Sequence, residues 1–289
     1  MRYTLGWLMR DAMGDDEYHP ISHKGSNLTE AGGIGYTVVD SIDTMLLMGL
    51  DEEYQRARDW VASNMTFERD ANFNTFETTI RVLGGLLSAY TLSEDPMFLE
   101  RAKDLADRIM PTFDTPSGLP LSLVNLAKRE GVPDKDNRGL VSTAEVSTLQ
   151  LEFKYLSHLI DDESYWEKAE TVESHQWVNS AVIHSPEDGR FALSAIRLGS
   201  RGDSYYEYLL SDSGSNNDDH RKQYIQTNFT EPVYKDMFDP FRPLLVQMYD
   251  DAINGVQAHL IQKSRNARLT YTSELIPERN AAGEMSVIV

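Results

Sequence analysis

The sequence predicts an all-α fold, an αα-barrel or toroid in which an inner ring of buried helices is enclosed by an outer ring. Two observations carry this. Apolar segments of helical length alternate along the chain with amphipathic segments of similar length. The apolar segments are also rich in Leu, Ala and Met, and the Gly-rich βα turns of a parallel sheet are absent. A parallel α/β fold is the competitor, because a short apolar run can also be a buried strand.

The alternation starts at residues 36–50, YTVVDSIDTMLLMGL, apolar apart from Asp40, Ser41, Asp43 and Thr44. Residues 53–65 differ: Tyr54, Ala57, Trp60 and Val61 recur at helical spacing between charged positions, as on a surface helix with one buried stripe. Residues 75–93, TFETTIRVLGGLLSAYTLS, have no charged face, so that helix is expected to be buried on nearly every side. Residues 97–110 return to the amphipathic type, with Phe98, Ala102, Leu105 and Ile109 facing in. Residues 142–160 are again mostly apolar, with Lys154 the only base. Residues 164–178 carry Glu167, Lys168, Glu170 and Glu173 on one expected outer side. Residues 203–210, DSYYEYLL, read as inner and 246–263 as amphipathic. Met45, Met48, Met97 and Met110 sit at core spacing.

Composition bounds the function. The 289 residues carry a formal charge of −19, and so acidic a surface repels phosphate backbones, which argues against a nucleic-acid partner. No apolar run approaches the roughly 20 residues that span a bilayer, and the first twenty are broken by charges, so no signal or anchor is visible. The absence of Cys excludes thiol chemistry, Cys-bound zinc and disulfides. No His pair has zinc spacing, and no P-loop, GxGxxG or GxSxG occurs. Three N-x-[ST] sequons, at Asn27, Asn64 and Asn228, favour the secretory pathway.

Each inner segment carries acid near its expected start: Asp40 and Asp43, Glu77 with Arg81 one turn on, Glu145, and Asp203 with Glu207 one turn on. If the inner helices run in one sense, these acids converge at one end. Each alone also fits a helix cap or, for Glu77 and Arg81, a structural ion pair. Gly84, Gly85 and Ser88 continue the Glu77–Arg81 stripe and leave that face open. Several carboxylates in one pocket suit oxygen-ligated Ca²⁺ or Mg²⁺, or acid and base in glycoside hydrolysis. Phe76, Tyr205, Tyr206 and Tyr208 could stack on a sugar or simply pack the core.

These strings, with DDEYHPISHKGSNL near the start and GLPLSLVNL in a loop, resemble the class I α-1,2-mannosidases of glycoside hydrolase family 47. The resemblance runs from about residue 5 to 210 and resumes weakly to about 279. It implies an (αα)7 barrel, of which this single partial domain, residues 1–289, holds roughly the first half. It implies inverting hydrolysis of terminal α-1,2-linked mannose on high-mannose N-glycans in the endoplasmic reticulum. Glu77 corresponds to the family's general acid, acting through water, and Asp203 to a second essential carboxylate. Asp40, Glu145 and Glu207 correspond to other acids of the pocket and Arg81 to an arginine of the sugar site. Arg201 precedes Gly202-Asp203 as in the endoplasmic-reticulum subgroup, where it restricts which mannose is removed.

The resemblance also marks departures. The family's Ca²⁺ ligand, a late Thr-Glu, and its candidate base lie beyond Val289, so none of these residues is expected to bind metal and the chain alone is expected to be inactive. A non-catalytic, glycan-binding relative in glycoprotein quality control is the alternative. The family's usual membrane anchor is not seen at the start, and residues 171–184 look shortened. SDSGSNNDDHR (211–221) and FDPFRPLLVQM (238–248) look like insertions.

Overall fold

A computed structural model describes residues 2–173, 183–192, 194–212, 242–279 and 285–288. Helix α1 (Arg2–Asp11) and the hairpin β1 (Glu17–His19) and β2 (Lys24–Ser26) lead into the first inner pair, α2 (Tyr36–Asp40) and α3 (Ile42–Leu47). The outer α4 (Asp51–Ser63) follows. Strand β3 (Asn72–Asn74) opens the second inner helix, which runs through α5 (Thr75–Glu77), a π-helical turn (Thr78–Leu83) and α6 (Gly84–Ser93). Its outer mate is α7 (Pro96–Ile109). Strands β4 (Leu123–Asn125) and β5 (Glu130–Val132) complete an antiparallel sheet with β3.

Strand β6 (Val141–Ser142) opens the third inner unit, α8 (Thr143–Val146) and α9 (Gln150–Ile160), backed by α10 (Glu163–Glu173). Strands β7 (Ile183–His184) and β8 (Phe191–Ala192) pair onto β6. The fourth inner helix is α11 (Asp203–Asp212), and α12 (Arg242–His259) packs on it. Antiparallel pairs β9 (Ile261–Lys263) with β10 (Thr270–Thr272), and β11 (Ile276–Arg279) with β12 (Met285–Ile288), end the chain. Inner helices neighbour one another in the order α3, α6, α9, α11, and each packs on its own outer helix. Sheets are small and antiparallel, so the α/β competitor is set aside.

The periodicities produce this packing. Phe98, Ala102, Leu105 and Ile109 of α7 are fully buried, as are Ala57 and Val61 of α4, while Tyr54 and Trp60 pack on the core edge. Leu86, Leu87 and Ala89 bury α6 on more than one side. Several expectations are corrected. Residues 36–50 form two short helices broken at Ser41, so Asp40 closes α2 rather than starting a helix. Residues 142–160 are interrupted at Ser147–Leu149. Met48 is exposed beside Leu47, where the inner helix ends in water. Glu170 turns inward to meet Lys154, 3% exposed, at 3.3 Å, neutralising a lysine between α9 and α10 that also lies 5.1 Å from the Trp166 ring. The 246–263 helix stops at His259. Residues 174–182, 213–221, Asn228 and 238–241 lie outside the described residues, and 242–248 form the first turns of α12.

Gly84 and Gly85 do not leave an open face. A methyl group on Gly85 would fall 2.9 Å from the Val39 carbonyl oxygen, whereas one on Gly84 would rest 3.5 Å from the Glu152 side chain. Ser88 donates to Asp43 at 3.1 Å. Gly85→Ala should therefore destabilise by about 1–3 kcal/mol through overpacking. Gly84→Ala should be neutral or stabilising by up to about 1 kcal/mol from helix propensity. Paired thermal melts check the opposite signs.

Candidate active site

Two inner helices begin alike. Strand β3 delivers Asn74, in extended conformation, as the cap of α5, and its Oδ1 accepts the Glu77 amide at 2.8 Å. Strand β6 delivers Ser142, also extended, and its Oγ accepts the Glu145 amide at 3.3 Å. Asn74-x-x-Glu77 and Ser142-x-x-Glu145 thus have capping-box spacing, in which the glutamate would return to the cap's amide. Neither does. Glu77 Oε2 accepts from Arg81 Nε at 2.6 Å. Glu145 accepts from Asn74 Nδ2 and Ser122 Oγ, each at 3.4 Å. The capping explanation accounts for the backbones of these acids and leaves their carboxylates turned to other partners.

Arg81 lies within the π turn, a distortion frequent at functional sites, and its Nη1 stands 3.6 Å from Asp40 Oδ2. The guanidinium therefore separates two carboxylates. All three side chains are close to half exposed, at 48% for Asp40, 40% for Glu77 and 46% for Arg81. Such accessible pairs contribute about 1 kcal/mol or less to stability. Partial burial raises the Asp40 pKa above its ordinary 3.8, with Arg81 opposing and Asp43 and Glu77 reinforcing the rise. Beneath the pair, Tyr36 and Thr78 join hydroxyls between α2 and the π turn, and burial holds the Tyr36 pKa far above its usual value.

Helix α11 packs on α8 and α9 and carries Asp203 in its first turn with Glu207 one turn on, both exposed. Its position is tied to Glu145 by backbone: Ala144 N donates to the Arg201 carbonyl at 2.9 Å, and Arg201 adopts a left-handed φ of 78°. The Arg201 side chain donates to Asn137 at 3.0 Å. The structure thus brings Asp40, Arg81 and Glu77 together as ion pairs, and Asn74 links the Glu77 amide to the Glu145 carboxylate. Asp203, Glu207 and Arg201 stand on the adjoining helix. Tyr205 is core, in edge contact with Tyr206, while Tyr208 donates to Glu152 at 3.2 Å. Glu152, Asn74 and Ser142 escaped the sequence reading, although N-x-x-E and S-x-x-E were visible signals for the last two.

A Ca²⁺ ion needs about six to eight oxygen ligands. Among the described residues no three His, Asp or Glu side chains gather as a metal site. Glu77 is engaged by Arg81 and Glu145 by two neutral donors. This donor set does not fit a resident calcium.

The glycosyl hydrolase family 47 model matches residues 6–287. The chain belongs to that family. A mannosyl-oligosaccharide 1,2-alpha-mannosidase of Candida albicans is 42% identical over 279 residues, covering 94% of this chain and 45% of the relative. An endoplasmic reticulum mannosyl-oligosaccharide 1,2-alpha-mannosidase of Schizosaccharomyces pombe is 39% identical, covering 94% and 48%. The solved alpha-1,2-mannosidase from Trichoderma reesei superposes with a TM-score of 0.76 at 24% identity, over 94% of this chain and 56% of that one. The chain spans about half the length of the curated relatives it matches, and its paired helices are part of the family's (αα)7 barrel.

Because the folded state holds the Asp40 proton more tightly than the unfolded chain does, ionising Asp40 costs stability as pH rises from 3.8 through the raised value, and the cost persists above it. Asp40→Asn should therefore gain stability relative to the wild type between pH 3 and pH 7. Arg81→Met should raise the Asp40 pKa further. Melting curves at the two pH values and a carboxyl ¹³C titration check each sign.

Proposed function

We propose that this protein is a mannosyl-oligosaccharide 1,2-α-mannosidase of the endoplasmic reticulum that removes terminal α-1,2-linked mannose from high-mannose N-glycans with inversion. The observation that carries this reading is the diversion of two capping-box glutamates out of their boxes, Glu77 to an accessible cluster with Arg81 and Asp40, and Glu145 to Asn74, the cap of Glu77, and Ser122. Inversion requires one carboxylic acid to protonate the leaving oxygen and a second carboxylate, on the opposite face, to activate water.

Glu77 is assigned as the acid, acting through a water, and Asp203 as a second carboxylate of the centre. Arg81 offers donors to sugar hydroxyls while holding Glu77 in place. Asp40, Glu145 and Glu207 line the pocket and accept hydroxyl hydrogen bonds. Arg201, held by Asn137, selects which mannose reaches the acid. Calcium, which the family resemblance implies, would be held by ligands other than these, and the base that activates water is likewise assigned outside residues 1–289.

Three outcomes follow. In a protein carrying the whole barrel, Glu77→Gln should lower kcat by about 10²- to 10⁴-fold, the usual contribution of a general acid, with little change in melting temperature. Retained turnover would remove Glu77 from the role. Arg201→Leu should broaden the mannose isomers produced, as read by chromatography of the trimmed glycans. Residues 1–289 alone should release no mannose from a high-mannose glycan with Ca²⁺ present, and measurable release would overturn that assignment. Glycan binding without turnover by the whole barrel would favour the non-catalytic reading.

A further inference from the structure

Outer helix α4 ends at Ser63, and its C-cap is Asn64, the first residue of the sequon Asn64-Met65-Thr66. The helix closes there because the amides of Asn64 and Met65 both donate to the Trp60 carbonyl, at 2.8 and 3.1 Å. Met65 is buried, which anchors the middle of the triplet, while Asn64 is exposed and its backbone leaves helical geometry at φ −121°. Among the described residues the Asn64 carboxamide has no hydrogen-bond partner. Thr66 Oγ1 accepts the Glu68 amide at 3.1 Å, which leaves its own hydrogen free.

Asn64 also lines an open cleft of about 240 Å³ together with Trp60, Arg69 and Asn27. The sequon at Asn27 is differently placed. Its Oδ1 accepts the Asp16 amide at 3.3 Å, and a methyl group on Gly33 would fall 2.3 Å from that oxygen. The Asn27 carboxamide is folded into the loop that Asp16 organises, whereas that of Asn64 stands clear.

We propose that Asn64 is an N-glycosylation site of this protein, with the cleft beside Trp60 receiving the first sugar. In the transfer, Asn64 Nδ2 attacks C1 of an oligosaccharide carried on a polyprenyl pyrophosphate. The C1–O bond to pyrophosphate breaks, the polyprenyl pyrophosphate leaves with the electron pair, and one Nδ2 proton passes to the base of the transferase. The inference rests on the secretory-pathway reading above, so the test separates the two. The full chain is expressed in yeast behind a cleavable signal, which delivers it to the lumen whatever its native address.

Signal removal reports delivery, and endoglycosidase treatment followed by mass mapping of the tryptic peptide Asp59–Arg69 reports modification. The expected result is a deglycosylation mass tag on Asn64, lost in Asn64→Gln and Thr66→Ala and kept in Thr66→Ser and Asn27→Gln. A delivered, signal-cleaved chain with an unmodified Asn64 would overturn the proposal. So would a glycan mobility shift that survives Asn64→Gln and disappears in Asn27→Gln. Failure of the native protein to reach the lumen would instead count against the localisation.

Discussion

The candidate site depends on how closely the first two inner helices approach. Gly85 lets α6 come so near α2 that even one methyl group would meet the Val39 carbonyl oxygen. Asp40 is the next residue along α2, and Arg81 lies one turn earlier on the other helix. Close backbone contact therefore sets the 3.6 Å approach of Arg81 to Asp40. The Tyr36–Thr78 hydroxyl contact fixes the same interface nearer the start of the second inner helix. Because burial keeps the Tyr36 phenol protonated far above neutral pH, this pin does not loosen over the range in which the carboxylates titrate.

Buried polar groups set the rest of the scaffold. The Asp16 carboxylate accepts amides from Leu28, Ile34, Gly35 and Tyr36 at 2.8 to 3.3 Å, and its carbonyl accepts from Thr37. An orphaned buried amide costs about 1–3 kcal/mol, so this one side chain decides where the first inner helix can begin. Arg108 plays the matching part in the outer layer. It binds Glu68, Asp104 and the carbonyls of Phe67 and Leu126, tying α7 to the loops around β3 and β4. The strands that aim Asn74 into the site are thereby fixed from behind.

Layering was legible because burial of helix faces is a periodic property. The in-facing stripes of α4 and α7 follow from the spacing of Ala57 and Val61, and of Phe98, Ala102, Leu105 and Ile109. Breaks at Ser41 and at Ser147–Leu149 were not legible, since neither carries proline or glycine; Ser41, Ser147 and Thr148 instead turn their hydroxyls back onto carbonyls four residues earlier. Charge placement was read correctly on average and wrongly in detail. Glu170 has the spacing of a solvent-facing residue, but a lysine buried on α9 needs a counter-ion, and that need turns it inward. The small residues Gly84 and Gly85 were read as space, whereas at a close helix crossing they are contact. That Asp40, Glu77 and Arg81 lie together was legible from their positions in successive inner segments, whereas Asp203, expected to join them, stands on a further inner helix. The linking residues were not legible, because Asn74 and Ser122 act through side-chain bonds between distant segments.

Carboxylates within apolar helices suggest buried charges that must be compensated, yet Glu77 and Asp40 stand at the rim, close to half exposed, with a guanidinium between them. Water therefore reaches both carboxylates as well as Arg81. A hydroxyl-rich ligand entering that rim would displace water while offering hydroxyl groups to the same lone pairs and N–H groups. The apolar lengths of α6 and α9 hold the helices together through residues such as Leu86, Ala89, Phe153 and Leu156. Structural and chemical demands therefore meet within one turn of the second inner helix, where Arg81 joins the ion pairs and Gly85 makes the close contact with Val39.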